Sequence, residues 1–264
     1  MGKSVGWKGQ NGSIIQKLFL PWENEEERTG KKVVFYVIMQ LGGVDVTKEE
    51  YVKRMNEEHD WAPGWDAIEG EFGRLYPGQE PKHYATNMVS RAMFGGDEYL
   101  DGCSIYENAK GYYHLVTFGM SELYTDEEAF GGEYSRWGYE MTIKLKEDKA
   151  EHCLWAIDML SNLARYTYKS ERFFDPEQFV QGNGSSLHIG TESLITALIT
   201  VDDTTAHAQN TVHGKLGFIQ FVGITQAELN AIKEDRSNLA KLIELMKQDN
   251  PELITDMKRT KSYL

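Results

Sequence analysis

The chain has 264 residues, with 28 Lys+Arg against 41 Asp+Glu and a formal net charge of −13. Its 41% hydrophobic content and 6 prolines exclude a disordered or linker-rich chain, and its charge disfavours direct contact with nucleic acid or an anionic membrane. Two cysteines, Cys103 and Cys153, cannot build a disulfide framework, which points to a reducing, cytoplasmic compartment.

The N-terminal residues are Gly-rich and polar, and acids follow from Glu23 to Glu27, a pattern unlike a secretory signal. The apolar run Val33–Leu41 falls far short of the ~20 residues of a membrane-spanning helix. It reads as a buried strand with Ile14–Leu20 as its partner. Residues 1–46 are thus expected to form a strand-containing extension, and 47–264 one domain.

Thr47 and Glu50 have capping-box spacing, which predicts a helix to about His59. A second helix starts at Pro63, with Trp65, Ile68, Phe72 and Leu75 on its apolar face, and ends at Pro77-Gly78. Gly70 and Gly73 weaken its interior, which suggests close packing against another element. His83–Met88 reads as a short strand. Ser104–Glu107 and Tyr112–Phe118 read as a hairpin around Asn108 to Gly111.

Trp137–Lys146 alternates: Tyr139, Met141, Ile143 and Leu145 face one way, and Glu140, Thr142, Lys144 and Lys146 the other. That pattern predicts a strand with one solvated face. Leu154, Ile157, Leu160, Ala164 and Tyr168 line a helix, and Asp175-Pro176 reads as the start of a short helical turn. Leu194–Thr200 and Leu216–Val222 are apolar on both faces, as central strands are. Thr225 and Glu228 form a second capping box, Leu239, Leu242, Ile243 and Met246 mark a last helix, and Glu252–Met257 reads as a closing strand. The fold class is α+β, a mixed sheet flanked by helices.

Catalytic and cofactor motifs are absent: there is no HExxH, CxxC, P-loop, GxGxxG or GxSxG. His207 and His213 share a polar loop with no established ligand spacing, and Asp202-Asp203 reads better as a solvated strand end than as a metal site. The Gly182–Ser186 stretch reads as a flexible loop, and both cysteines as buried structural thiols. The expectation is no catalytic residue, no metal and no cofactor. One cluster stands out: Tyr112–Tyr124, followed by Thr125–Glu128, concentrates aromatics, a histidine and acids around a strand end. Ordinary packing explains it, and so does a protein-binding surface for a basic partner.

The string LDGCSIYENAKGYYHLVTFGMSELY, Leu100–Tyr124, resembles the Suppressor of Fused family. Pro63–Pro77, Trp137–Lys146, Leu163–Tyr166, Ile219–Leu229 and Leu253–Lys258 continue the resemblance in the same order. The resemblance implies the fold of the family's N-terminal α+β domain and protein binding without enzymatic activity. Bacterial single-domain members look like immunity proteins that neutralise toxins, often nucleases, while animal members grip a peptide of a transcription factor by strand addition.

By that resemblance the chain is expected to be a bacterial-type antitoxin that occludes a basic toxin. The alternatives are a peptide-binding adaptor and, behind it, an enzyme using Asp202, Asp203 or His114. The partner-binding residues carried over are Tyr113, His114, Phe118, Glu122, Tyr124 and Asp126. Glu140 joins them as a solvent-side carboxylate.

Overall fold

The computed structural model describes residues 46–86 and 99–264. The expected strands Ile14–Leu20 and Val33–Leu41, and nearly all of the predicted extension, lie outside them. Helix α1 (Lys48–Glu57) opens with the capping box: the Thr47 hydroxyl accepts from Glu50 N, and the Glu50 carboxylate from Thr47 N. Its buried residue is Tyr51. Helix α2 (Pro63–Leu75) follows, burying Ile68 and Phe72 along its inner face. Strand β1 (Lys82–Ala85) replaces the longer strand expected, of which Asn87 and Met88 lie outside the described residues.

The hairpin forms as predicted, from β2 (Gly102–Asn108) and β3 (Tyr112–Phe118), in register from Gly102↔Phe118 to Asn108↔Tyr112. Strand β4 (Tyr134–Leu145) pairs antiparallel with β3. Helix α3 (Leu154–Ser170) leads through β5 (Phe179–Gln181) to β6 (Ile195–Asp202), β7 (Gln209–Thr211) and β8 (Gly214–Thr225). Helices α4 (Gln226–Glu234), opened by the second capping box, and α5 (Asn238–Asp249) complete the order.

The strands form one mixed sheet in the order β1-β2-β3-β4-β8-β6-β5, with β7 beside β8. Strand β8 runs parallel to β4 and antiparallel to β6. Both faces are covered. Tyr139, Met141, Ile143 and Leu145 pack with α3 through Ala156, Leu160 and Ala164. On the other face, α2 packs against Val116, Phe118 and Phe218, while α4 and α5 pack against Val222 and Ile224.

Double coverage overturns the expected solvated face of β4. Glu140, Thr142 and Lys144 are fully buried, and each finds hydrogen-bond partners on other elements. Gly70 and Gly73 face open space. The close approach is at Gly64, where a Cβ would lie 2.0 Å from the Glu122 carbonyl oxygen. Asp175-Pro176 enters a turn with Glu177 at φ +60°, and the expected closing strand is a single bridge, Leu145↔Thr255.

Candidate partner-binding site

The connection from β3 to β4 carries the acidic and aromatic residues singled out above. It starts at Gly119, whose φ of +130° and proximity to Tyr99 O (2.9 Å from a would-be Cβ) leave no room for a side chain. From β4, Glu140 reaches back to this turn. Its carboxylate accepts from Gly119 N (3.0 Å), Met120 N (3.1 Å), Ser121 N (2.9 Å) and the hydroxyls of Ser121 and Thr117 (2.7 Å each). Burial pushes its pKa up, and these donors oppose the shift. The carboxylate thus satisfies a row of amides that the sheet leaves unpaired.

Further along, Glu122 N donates to Ser135 Oγ (2.9 Å) and Gly64 N to Leu123 O (3.0 Å). Asp126 N donates to the Tyr51 hydroxyl (2.7 Å). An irregularity in β4 between Tyr134 and Tyr139, with Arg136 at φ +52°, brings the Arg136 guanidinium to 3.2 Å from Glu122. Burial raises the Glu122 pKa, and Arg136 opposes it. What remains exposed is the Tyr124 ring, 49% accessible, with its hydroxyl on Asp101 (2.7 Å), and the acids Asp126, Glu127 and Glu128. Lys48 of α1 lies 3.2 Å from Glu127.

Of the seven residues expected to bind a partner, Glu122, Tyr124 and Asp126 share this connection. Glu140 sits beneath it as a support, not on the solvent side, because its five donors lie inside. Phe118 is fully buried against Trp65 and takes part in the α2-side core. Tyr113 and His114 lie farther along β3, with Tyr113 roughly 16 Å from Phe118 at the usual strand rise. Tyr113 is 9% accessible and packs on the α3 side. His114 is sealed in. None of these four side chains is placed to meet a partner directly in this conformation. The supports Tyr51, Gly64, Ser135, Arg136 and His213 lie on four other elements, and no sequence pattern ties them to this connection, although His213 and the Pro63–Pro77 stretch stand out on other grounds.

His114 belongs instead to a buried charged network. Its Nε2 lies 2.9 Å from Asp203, and Nδ1 lies 2.9 Å from the Tyr76 hydroxyl. Lys144 (3.1 Å) and the Thr142 hydroxyl (2.6 Å) also bind Asp203, which accepts from Thr205 N and Ala206 N as well. Burial works against the Asp203 charge, but His114 and Lys144 hold its pKa well below the usual range. Burial lowers both His114 and Lys144. The side chains of His114, Lys144 and Asp203 have no solvent access, so the pair weighed above for acid–base work does not open on a cleft. A cleft of about 600 Å³ lies just beyond the C-terminal end of β4, lined by Glu147, Trp155, His188 and Glu192. Among the described residues no group of three or more His, Cys, Asp and Glu is placed to hold a metal, and no helix is long and apolar enough to cross a membrane.

Residues 96–260 match the family model described as Suppressor of fused protein. The chain is 31% identical over 216 residues to the Suppressor of fused homologs of Homo sapiens and Mus musculus, covering 74% of this chain and 43% of each relative. It therefore spans less than half the length of these relatives. The structure superposes on a chain of a Sufu–Fu complex with a TM-score of 0.65 and 25% identity, covering 76% of this chain and 93% of that one. For Drosophila Suppressor of Fused the TM-score is 0.64 at 25% identity, over 76% and 51% of the two chains. A Neisseria gonorrhoeae homolog at 12% identity shares the fold, with a TM-score of 0.52 over 76% and 97%.

Proposed function

Because the chain belongs to the Suppressor of Fused family, we propose that it is a non-catalytic protein-binding domain whose contact surface is the Glu122–Glu128 connection. The observation that carries this reading is the contrast within that connection. Glu140 fixes the Gly119–Ser121 backbone that leads into it, and Ser135, Gly64 and Tyr51 fix its own, while Tyr124 and three successive acids are turned outward. A pre-ordered aromatic beside carboxylates suits a basic protein surface, since little conformational entropy is lost on binding. The relative crystallised as a Sufu–Fu complex supports protein binding as the mode of action.

At a finer level, the partner is a basic toxin of the nuclease type, and the chain acts in the cytoplasm as its immunity protein. A nuclease must be basic where it meets phosphate, so an acidic binder competes for that surface. Strand addition to a peptide is the second reading, but the sheet-edge strands β1 and β5 have only four and three residues. The test is co-expression with the toxin-like product of a neighbouring gene, followed by binding kinetics. Tyr124→Ala should weaken the complex by about 1–3 kcal/mol with an unchanged urea midpoint. The double charge reversal Glu122→Lys/Asp126→Lys should slow association about tenfold or more at low salt. A toxin that neither binds nor is neutralised sinks the immunity reading.

A further inference from the structure

The Glu122–Asp126 stretch is held by a hydrogen-bond relay whose direction can be worked out from its ends. Asp126 N can only donate, so the Tyr51 oxygen accepts at 2.7 Å. The Glu122 carbonyl can only accept, so His213 Nδ1 donates to it at 3.3 Å. That leaves Nε2 of the neutral ring as an acceptor, 2.9 Å from Tyr51, and the Tyr51 hydroxyl hydrogen points to it. Each donor has one acceptor, and the chain closes only with His213 neutral and its proton on Nδ1. Tyr51 and His213 are both fully buried, with the rings of Trp61 and Phe130 5.3 and 4.8 Å from the Tyr51 ring.

We infer that Tyr51 and His213 are positioning residues that form a proton-sensitive latch on the candidate binding stretch, closed when His213 is neutral and opened by its protonation. The inference rests on the proposed role of that stretch. A second proton on His213 turns Nε2 into a donor facing the Tyr51 hydroxyl. Either the bond between them breaks or the hydroxyl hydrogen loses its acceptor among aromatic rings. The groups facing His213 are Tyr51 from α1 and Asp126 and the Glu122 carbonyl from the connection. Burial outweighs the pull of the latter two, so the ring titrates below the ordinary histidine range. Protonation keeps Nδ1–H on the Glu122 carbonyl and acts on the Tyr51 side alone, so opening loosens the Tyr51 hydroxyl that holds Asp126 N, two residues beyond Tyr124.

Nitrogen NMR of the histidine rings, combined with hydrogen-exchange protection of the Asp126 amide, tests the latch in the full chain. At about pH 7.5 His213 should carry its proton on Nδ1. Protection at Asp126 should fall about tenfold as His213 titrates in acid. His213→Gln, whose amide can donate to Glu122 and accept from Tyr51 without titrating, should abolish that pH dependence. Tyr51→Phe, which keeps the ring packing, should lower protection at every pH. An Nε2–H tautomer, or the same pH profile in His213→Gln as in the parent, overturns the latch whatever the stretch binds. A latch that titrates as described, with partner affinity indifferent to Tyr124→Ala, supports this inference and overturns the binding reading instead.

Discussion

Two buried tyrosine–histidine pairs, Tyr76–His114 and Tyr51–His213, have the same 2.9 Å contact and a fully buried imidazole, yet they do different work. In both, burial lowers the imidazole pKa. The difference lies at the second ring nitrogen. His114 turns it to the Asp203 carboxylate, which also holds Lys144 and the Thr142 hydroxyl, so the pair joins a charged knot across β3, β4 and the loop after β6. His213 turns it to a backbone carbonyl, and its pair holds one surface connection to one helix. A charge behind the ring makes a structural tie, and a peptide group behind it makes an adjustable one.

The comparison breaks most sharply at Asp203. Asp203→Ala leaves Lys144 buried without its counter-ion and should cost about 3–5 kcal/mol in urea unfolding. A loss below about 1 kcal/mol would mean that the knot is not structural. Glu140→Gln comes next, because its NH2 must face N–H and O–H donors that already point inward. We expect about 2–3 kcal/mol of destabilisation, with faster hydrogen exchange at Gly119–Ser121.

The smallest effect is on pH dependence. Since both histidines have lowered folded-state pKa values, the unfolded chain binds more protons in mild acid. Their stabilisation is present above about pH 6.5 and is lost as the pH falls through that value, by up to about 1.4 kcal/mol per unit for each ring. His213→Gln should remove one share of that slope and leave the His114 share. An unchanged slope would leave His114 as the only titrating ring of the two.

The local part of this architecture was legible in the sequence. Both capping boxes, the β2–β3 hairpin and the apolar side of β4 follow from spacings of a few residues. The polar side of β4 was misread for a physical reason. Glu140, Thr142 and Lys144 look solvated under a two-residue period, and the acid that neutralises Lys144 stands 59 residues away in sequence. The three-residue strands β5 and β7 are too short to show a period. In the candidate site, Glu122, Tyr124 and Asp126 could be named from the cluster and the family resemblance. Their supports could not, because no local spacing ties Gly64, Ser135 and His213 to this connection.

The contact between Tyr51 and His213 closes a span of 162 residues. During synthesis, then, Tyr124 and its neighbouring acids emerge long before the residue that finishes their support. The supports from Gly64, Ser135 and Glu140 are available once β4 has emerged, and the Tyr51–His213 contact is added only after residue 213. Local pairing such as the β2–β3 hairpin can precede that step, since its loop-closure cost is low. Of the ties on this surface, the Tyr51–His213 contact thus carries the largest loop-closure cost.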